Sequence, residues 1–469
     1  MSAASRRIWY GEAMSDIEPA PERLREDGRA RLFLLFWRLA WWFLLPLWAV
    51  VAFFHAATRG ETRRVRLWRL RRQLGRGLPA RDDEFLRDAR PLVWIHAVSV
   101  GELTAAMPLI NALAARKKYR FLVTTTTVSS LHLARRNFGA DAVEGPGADA
   151  RHAILPFDHP VLARRFVRRW RAGLVIFVEG DLWPSLCSCL SAEGIPVAVV
   201  SARHSPRSRR RWLRYRSVAR AIYGRVNLVA ARYREEMEYF ERLGVGRVML
   251  GGEIKDAAPA PVVNEKERAA LAPFFAERPV WSAISVHEGE LDAVILAHQE
   301  MARDEERLLT VICPRHPIDA TMRFFVQRLE RAGIVYTRRS LGEMPVMEGG
   351  VYLADTFGEV GLWCSLAGAV FVGGSLIDNG GHNLREPAWC GAALFGGRSF
   401  YNQAVAAEAL GGLGALVCVD DGAGLALAVR GNLRGGGEAG AAARGYVEGL
   451  GVETLERILS ALSPLLDDL

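Results

Sequence analysis

From residue 91 onward, short apolar runs alternate with stretches whose apolar residues recur at helical spacing. The strand-like runs of the first half are Val93–Val98, Phe121–Thr126, Ala153–Phe157, Leu174–Val178, Val197–Ser201, Leu228–Ala231 and Arg247–Gly251. Helical patterns such as Leu103–Arg116, Val161–Trp170 and Glu235–Leu243 separate most of them. This alternation predicts a parallel, doubly wound sheet. A Pro/Ala-rich break, DAAPAPVV, follows at 256–263, and the alternation then restarts. Its second set of strands is Val280–Ile284, Leu308–Ile312, Val351–Leu353, Ala369–Val372, Ala393–Phe395 and Ala415–Val419. Gly435–Gly437 interrupts, and an Ala-rich helix closes the chain. Two α/β halves of similar size around one linker suggest an enzyme that holds its ligands in a cleft.

Ahead of the alternating region the pattern changes. Leu39–Ala57 is the only stretch of membrane grade, nineteen residues with Pro46 inside it. At 1.5 Å per residue it reaches about 28 Å, close to the thickness of a bilayer core. Eight arginines follow between Arg59 and Arg76, so that flank is expected on the cytoplasmic side. Two readings stand for the segment, an anchor that spans or is half-inserted and a buried hairpin helix of a soluble protein. The expected organisation is a disordered tail over 1–30, an anchor with its Arg-rich flank over 31–90, a first domain over 91–255 and a linker over 256–265. A second domain over 266–435 and a C-terminal helix over 436–469 complete it.

Charge sharpens this picture. The net charge is +9, and residues 1–90 carry eighteen arginines against eleven acids, so +7 of it lies there. A second arginine concentration, seven between Arg203 and Arg216, suits phosphate binding. The basic balance raises nucleic acid as a partner, but no aromatic-interleaved basic motif is present, and no nucleic-acid partner is expected. The six cysteines form no Cys-x-x-Cys pair, which argues against a zinc site and for reduced thiols.

Candidate chemistry gathers where strands end. Phe371–Pro387, FVGGSLIDNGGHNLREP, passes from a strand through two glycine pairs to a helix start. Glycines let backbone approach a ligand, and free N–H groups at a helix start favour an anion. Asn383 and Glu386 read either as ribose contacts or as a capping box. Val93–Glu102 delivers Ser99, Gly101 and Glu102 to a strand end, where Glu102 reads equally as a general base or as an acid favoured by the helix dipole. Glu179 and Asp181 follow another strand. In the second half, Ser285-Val286-His287-Glu288-Gly289-Glu290, Pro314-Arg315-His316-Pro317 and Asp355-Thr356-Phe357-Gly358-Glu359 each follow a strand. No Asp-x-Asp clamp stands at a strand end, so no metal and no cofactor is expected.

Taken in order, HAVSVGE (His96–Glu102), TTTT (Thr124–Thr127), LWP (Leu182–Pro184), SAR with the following RS (Ser201–Ser208), HEGE, PRHP, DTFGE and FVGGS with GGHN and EP resemble the bacterial Kdo transferases. These enzymes add 3-deoxy-D-manno-octulosonic acid (Kdo) to lipid A precursors, and the resemblance runs from about Pro91 to the C-terminus. It implies a GT-B fold: two Rossmann-like doubly wound parallel-sheet domains facing a cleft, with an N-terminal membrane-anchor helix. It implies an inverting, metal-independent transfer from CMP-Kdo, with inner-membrane lipids and a phosphorylated lipid A precursor as partners. The protein is then expected on the cytoplasmic side of the inner membrane.

By the same resemblance Glu102 matches the catalytic base, and Ser99, Gly101, Thr127, Glu179, Asp181, Arg203 and Arg207 fall on the acceptor side. On the CMP-Kdo side fall Lys255, Ser285, His287, Glu288, Pro314, Arg315, His316, Gly358, Gly373, Gly374, Ser375, His382, Asn383 and Glu386. Among these Arg315 and the Gly373-Gly374-Ser375 loop match phosphate contacts, and Asn383 with Glu386 match the ribose pair. The family's Glu-Thr-Glu is here Glu179-Gly180-Asp181, its Pro-Thr-Gly after the threonines is Val128-Ser129-Ser130, and Leu384-Arg385 replace a Pro-Leu pair. Two other readings are a GT-B transferase using a different nucleotide sugar and a non-catalytic, membrane-anchored lipid-binding relative.

Overall fold

The structure, a computed structural model, describes residues 28–58, 62–80, 82–127, 129–138, 146–147, 149–180, 182–258, 260–261, 263–435 and 437–469. The expected tail over 1–30 therefore lies almost wholly outside the described residues. The chain divides into two compact units, Met1–Lys255 with Thr454–Leu469, and Asp256–Glu453.

The first unit is built on seven parallel strands. They are β1 (Leu92–His96), β2 (Arg120–Thr125), β3 (Ala150–Ile154), β4 (Leu174–Val178), β5 (Val197–Ala202), β6 (Leu228–Ala231) and β7 (Val248–Leu250). Their order is β3-β2-β1-β4-β5-β6-β7. Every residue of β1, β2, β4, β5 and β6 is buried, which is why these strands read as continuous apolar runs. One face packs Val93, Ile95, Leu103, Leu109 and Ile176 against Ile458, Leu462 and Leu466 of the C-terminal helix. The other packs Trp94, Phe166, Trp170 and Phe177 under Leu186, Ile222 and Phe240.

The second unit repeats the plan with β8 (Val280–Val286), β9 (Leu309–Pro314), β10 (Tyr336–Arg338), β11 (Gly350–Leu353), β12 (Ala369–Val372), β13 (Ala393–Gly396) and β14 (Leu416–Cys418). The order is β10-β11-β9-β8-β12-β13-β14, all parallel. The first sheet reverses its winding between β1 and β4; in the second, β11 folds back between β9 and β10, and the chain then crosses to the other side of β8 at β12. In open α/β sheets the crevice outside the carboxyl ends at such a reversal is where ligands bind.

Two strands depart from expectation. β3 begins three residues earlier than its apolar run, because Pro156 has no N–H for the ladder and the edge position tolerates half-buried Arg151 and His152. β10 is short and half-buried, so its sequence carries neither alternation nor an apolar run.

The N-terminal helix runs Gly28–Thr58, starting eleven residues before the apolar segment, and its span Gly28–Phe54 is the one described helix long and apolar enough to cross a membrane. The C-terminal helix is Glu438–Asp467, and its residues from Thr454 onward belong to the first unit.

Candidate active site

In the first unit the winding reversal is flanked by the residues that follow β1 and β4. Ser99 caps helix Val100–Ala114: its hydroxyl accepts from the Glu102 N–H at 3.3 Å and donates to the Glu102 carboxylate at 3.1 Å. The other Glu102 oxygen accepts from the Val98 N–H at 2.7 Å. The two readings of Glu102 thus coincide on one side chain, a helix-start acid that is half-buried at a strand end. Gly101 is exposed on the first turn. Thr127 follows β2 and shares a 2.9 Å hydrogen bond with Ser130 at the start of the next helix. His96, in the same motif as Glu102, is a core residue: it is bonded to Thr124 at 2.8 Å, and burial pushes it down to about 4.

After β4, Glu179 takes a left-handed backbone with φ 63°, uncommon for a non-glycine residue. Its carboxylate accepts from Arg203 at 2.8 Å and from the Lys255 ammonium. Lys255, expected with the CMP-Kdo residues, therefore lies in the first unit, held by an acceptor-side carboxylate. Arg207 is exposed on helix Pro206–Arg214, and Asp181 lies outside the described residues.

Sequence reasoning missed the network beside this pair. The Ser201 hydroxyl donates to Glu253 at 3.0 Å, and Arg232 binds Glu253 at 2.9 Å and buried Glu236 at 3.3 Å. Burial raises the Glu253 carboxyl, and the Arg232 hydrogen bond and charge outweigh that and hold it below its ordinary range. The signal was local, since Glu253 stands two residues before Lys255 in the same GGEIK segment.

In the second unit, β8 and β12 flank the reversal, and their following loops meet. His287 and His382 lie edge to edge with nearly parallel rings, Nε2 to Nε2 at 2.7 Å, so one ring donates and the other accepts. The Asn379 side chain reaches the same His287 nitrogen at 3.1 Å, and the His316 ring is 6.5 Å from that of His287. Burial, then the charges of Arg315, His287 and His316, push His382 down to about 4. Arg315 follows Pro314, the buried last residue of β9, and its own N–H donates to Val286 at 2.9 Å. Its side chain and that of His316 are exposed, and among the described residues no acid pairs with the Arg315 guanidinium. Arg315 thus supplies a positive charge without an acidic partner among the described residues, beside the imidazoles of His287 and His382 that burial keeps neutral, and an anion would satisfy it.

The glycine loop departs from expectation. The N–H groups of Gly374, Ser375 and Leu376 donate to the buried carboxylate of Glu290 at 2.7, 3.0 and 3.0 Å. These amides are therefore occupied and do not await a phosphate. The Ser375 hydroxyl is likewise spent, on Val372 and Gly397. Gly373 is required by its own neighbour: an added Cβ would stand 2.3 Å from the Ser285 carbonyl oxygen. Ser285 itself has φ 55°. The close approach inferred from the glycines is real, but its target is the chain itself.

Asn383 and Glu386 are joined by a 3.2 Å side-chain hydrogen bond, and Asn383 also accepts from the Arg385 N–H at 3.0 Å. Neither makes the reciprocal backbone bonds of a full capping box. Glu288 is exposed and accepts from Thr321 at 3.0 Å, away from the histidines. Gly358 turns a loop at φ 82° whose acids are engaged elsewhere. Asp355 is bound by Arg338 at 2.8 Å and Glu359 by Arg339 at 2.8 Å.

A family model described as 3-Deoxy-D-manno-octulosonic-acid transferase (kdotransferase) matches residues 68–258. The 3-deoxy-D-manno-octulosonic acid transferase of Bordetella pertussis is 34% identical over 319 residues, covering 66% of this chain and 72% of that protein. The Haemophilus influenzae protein of the same name is 30% identical, covering 66% and 71%. The chain belongs to this family. It spans 62% of the length of the Rickettsia felis relative, to which it is 31% identical. Among solved structures, a glycosyltransferase from Rickettsia africae superposes with a TM-score of 0.51 at 12% identity, covering 81% of this chain and 99% of that one. A UDP-GlcNAc 2-epimerase from Neisseria meningitidis gives 0.51 at 11% identity, covering 80% and 100%. The two-sheet fold is thus shared by a transferase and an epimerase, and the family rests on sequence.

Proposed function

We propose that the protein transfers Kdo from CMP-Kdo to a phosphorylated lipid A precursor, with inversion and without a metal ion, at the cytoplasmic face of the inner membrane. The observation that carries this reading is the placement of Glu102 at the winding reversal of one sheet and of the Arg315–histidine group at that of the other. Family membership supports the sugar acid, and the motif resemblance of the sequence supports a lipid acceptor.

Glu102 takes the proton of the attacking acceptor hydroxyl. That oxygen forms a bond to the anomeric carbon as the bond from this carbon to the CMP phosphate oxygen breaks, and CMP leaves with the electron pair. The charge that develops on the phosphate calls for a cation and for hydrogen-bond donors, roles for which Arg315 and the imidazole N–H groups are suited. A monophosphate leaving group needs less neutralisation than a diphosphate, which supports transfer without a divalent ion. Asn383 and Glu386 are assigned to the nucleotide ribose.

The test is a mass-spectrometric assay with a tetra-acylated, bisphosphorylated lipid A precursor. CMP-Kdo is expected to give a product heavier by one Kdo or more, UDP-sugars none, and activity is expected to survive EDTA. Transfer from a UDP-sugar, or activity restored only by Mg²⁺ or Mn²⁺, would overturn the reading.

A further inference from the structure

The apolar N-terminal helix is long enough to cross a bilayer, yet it has two lengthwise faces with different partners. Ala30, Leu34, Trp37, Trp41, Leu45, Ala49 and Ala52 recur every three or four residues, are buried or half-buried, and form one stripe. Along it Leu34 packs beside Ala221. Trp37 Nε1 donates to Asp158 at 2.9 Å, and the Trp42 ring stands edge-on to His159 at 4.6 Å. Near the far end Arg69 donates to the Ala52 carbonyl at 3.1 Å, and the Arg66 guanidinium lies 4.6 Å from the Phe53 ring. The outer stripe is Leu32, Phe36, Leu39, Phe43, Leu47, Val50 and Phe54, exposed by between 52% and 83%.

Trp37 and Ala52 are fifteen residues apart, about 22 Å along the axis, which is less than the ~30 Å of a hydrocarbon core. A helix crossing the bilayer in this packing would carry Asp158, Arg66 or Arg69 into the hydrocarbon with it. A charged side chain at that depth is costly, by at least about 2.5 kcal/mol. Laying the helix along the interface removes the conflict, because only the outer stripe then enters lipid. The same part of the chain is strongly cationic: residues 28–81 contain twelve arginines and one acid. A leaflet bearing anionic headgroups complements that charge.

We propose that helix Gly28–Thr58 is an in-plane membrane helix, lying along one leaflet of an anionic bilayer with its outer stripe immersed, and that it does not cross. The assignment is independent of the reaction. It is tested on the full-length chain with a Cys418→Ser background, to remove the exposed thiol, and single added cysteines at Phe36, Phe43 and Val50 bearing an environment-sensitive fluorophore. The vesicles are equal parts phosphatidylglycerol and phosphatidylcholine, with lipids brominated at shallow or deep carbons. An in-plane helix gives the three labels equal depth, with shallow quenching stronger at each. A crossing helix places position 43 about 10 Å from the depth of 36 and 50, and that result would overturn the proposal. Affinity for vesicles of phosphatidylcholine alone is expected to fall at least tenfold, and equal affinity would overturn the anionic assignment. In cell-derived vesicles, tags ahead of residue 1 and after residue 469 should be cut by protease from the same face. Cleavage from opposite faces would overturn the proposal by itself.

Discussion

At the scale of single residues, Glu102 shows how one side chain can hold a helix start and still serve chemistry. Its carboxylate accepts from Val98 and Ser99, and both bonds aim it rather than protonate it. Replacing Glu102 by Gln is expected to slow transfer by about 10² to 10⁴, the usual cost of losing a general base, with little change in melting temperature. Ser99→Ala removes the cap and makes the opposite trade: about 1 kcal/mol of stability, with most of the turnover kept. Equal activity losses in the two variants would make Glu102 a capping residue only. Sequence placed Glu102 after a strand and ahead of a helix near Leu103, and the structure puts it inside the first turn of helix Val100–Ala114; nothing in the one-dimensional pattern separates base from cap, since both need the same position. Lys255 shows the reverse failure. Its GGEIK context gave the residue but not its partner, because the partner, Glu179, is seventy-six residues away.

At the scale of elements, the strands were legible because both faces of each sheet are covered, which leaves apolar runs in the sequence. β10 was not, since three half-buried edge residues leave no pattern, yet it carries Arg338, which holds Asp355, and leads into Arg339, which holds Glu359. The glycine loop after β12 was legible as backbone that must approach something closely. That the something is Ser285 and Glu290 was not, because an anion supplied by the chain and one supplied by a ligand ask for the same glycines. Two substitutions follow from that packing. Gly373→Ala forces a Cβ to within 2.3 Å of the Ser285 carbonyl oxygen, so β8 and β12 must separate. Glu290→Ala strands three loop N–H groups, and each buried unsatisfied group costs about 1–3 kcal/mol. Both variants are expected to melt at lower temperature, or to be recovered poorly, whether or not CMP is present. If Glu290→Ala melts like the parent and binds CMP more tightly, then the carboxylate is a competitor for the phosphate and not a brace.

At the scale of the whole molecule, acid sensitivity follows from buried histidines in both units. Burial pushes His96, His204 and His298 each down to about 4, and burial with neighbouring cations does the same to His382. A histidine with an ordinary value of 6.5 in the unfolded chain binds its proton there first, so the unfolded state holds more protons between pH 6.5 and 4. Stability is then complete above pH 6.5 and is lost as pH falls toward 4, by on the order of 3 kcal/mol for a fully buried histidine such as His96. Asp158 works against this. Burial raises it to about 6 despite bonds from Ser185, Trp37 and Leu186, so acidification from 6 toward 3.8 relieves a buried charge. Four groups outweigh one, and the net expectation is a melting temperature that is level from pH 8 to 7 and drops steeply below 6.5. The histidine part can be isolated. His298 bonds only Thr310 among the described residues, at 2.8 Å through Nδ1, and Asn can keep that bond without titrating. His298→Asn should therefore flatten the slope of stability against pH by up to about 1.4 kcal/mol per pH unit, the contribution of one proton. Denaturant unfolding at pH 7, 6 and 5 measures it. A parent protein equally stable at pH 7 and 5, or a variant with an unchanged slope, would show that these imidazoles are protonated in the folded chain.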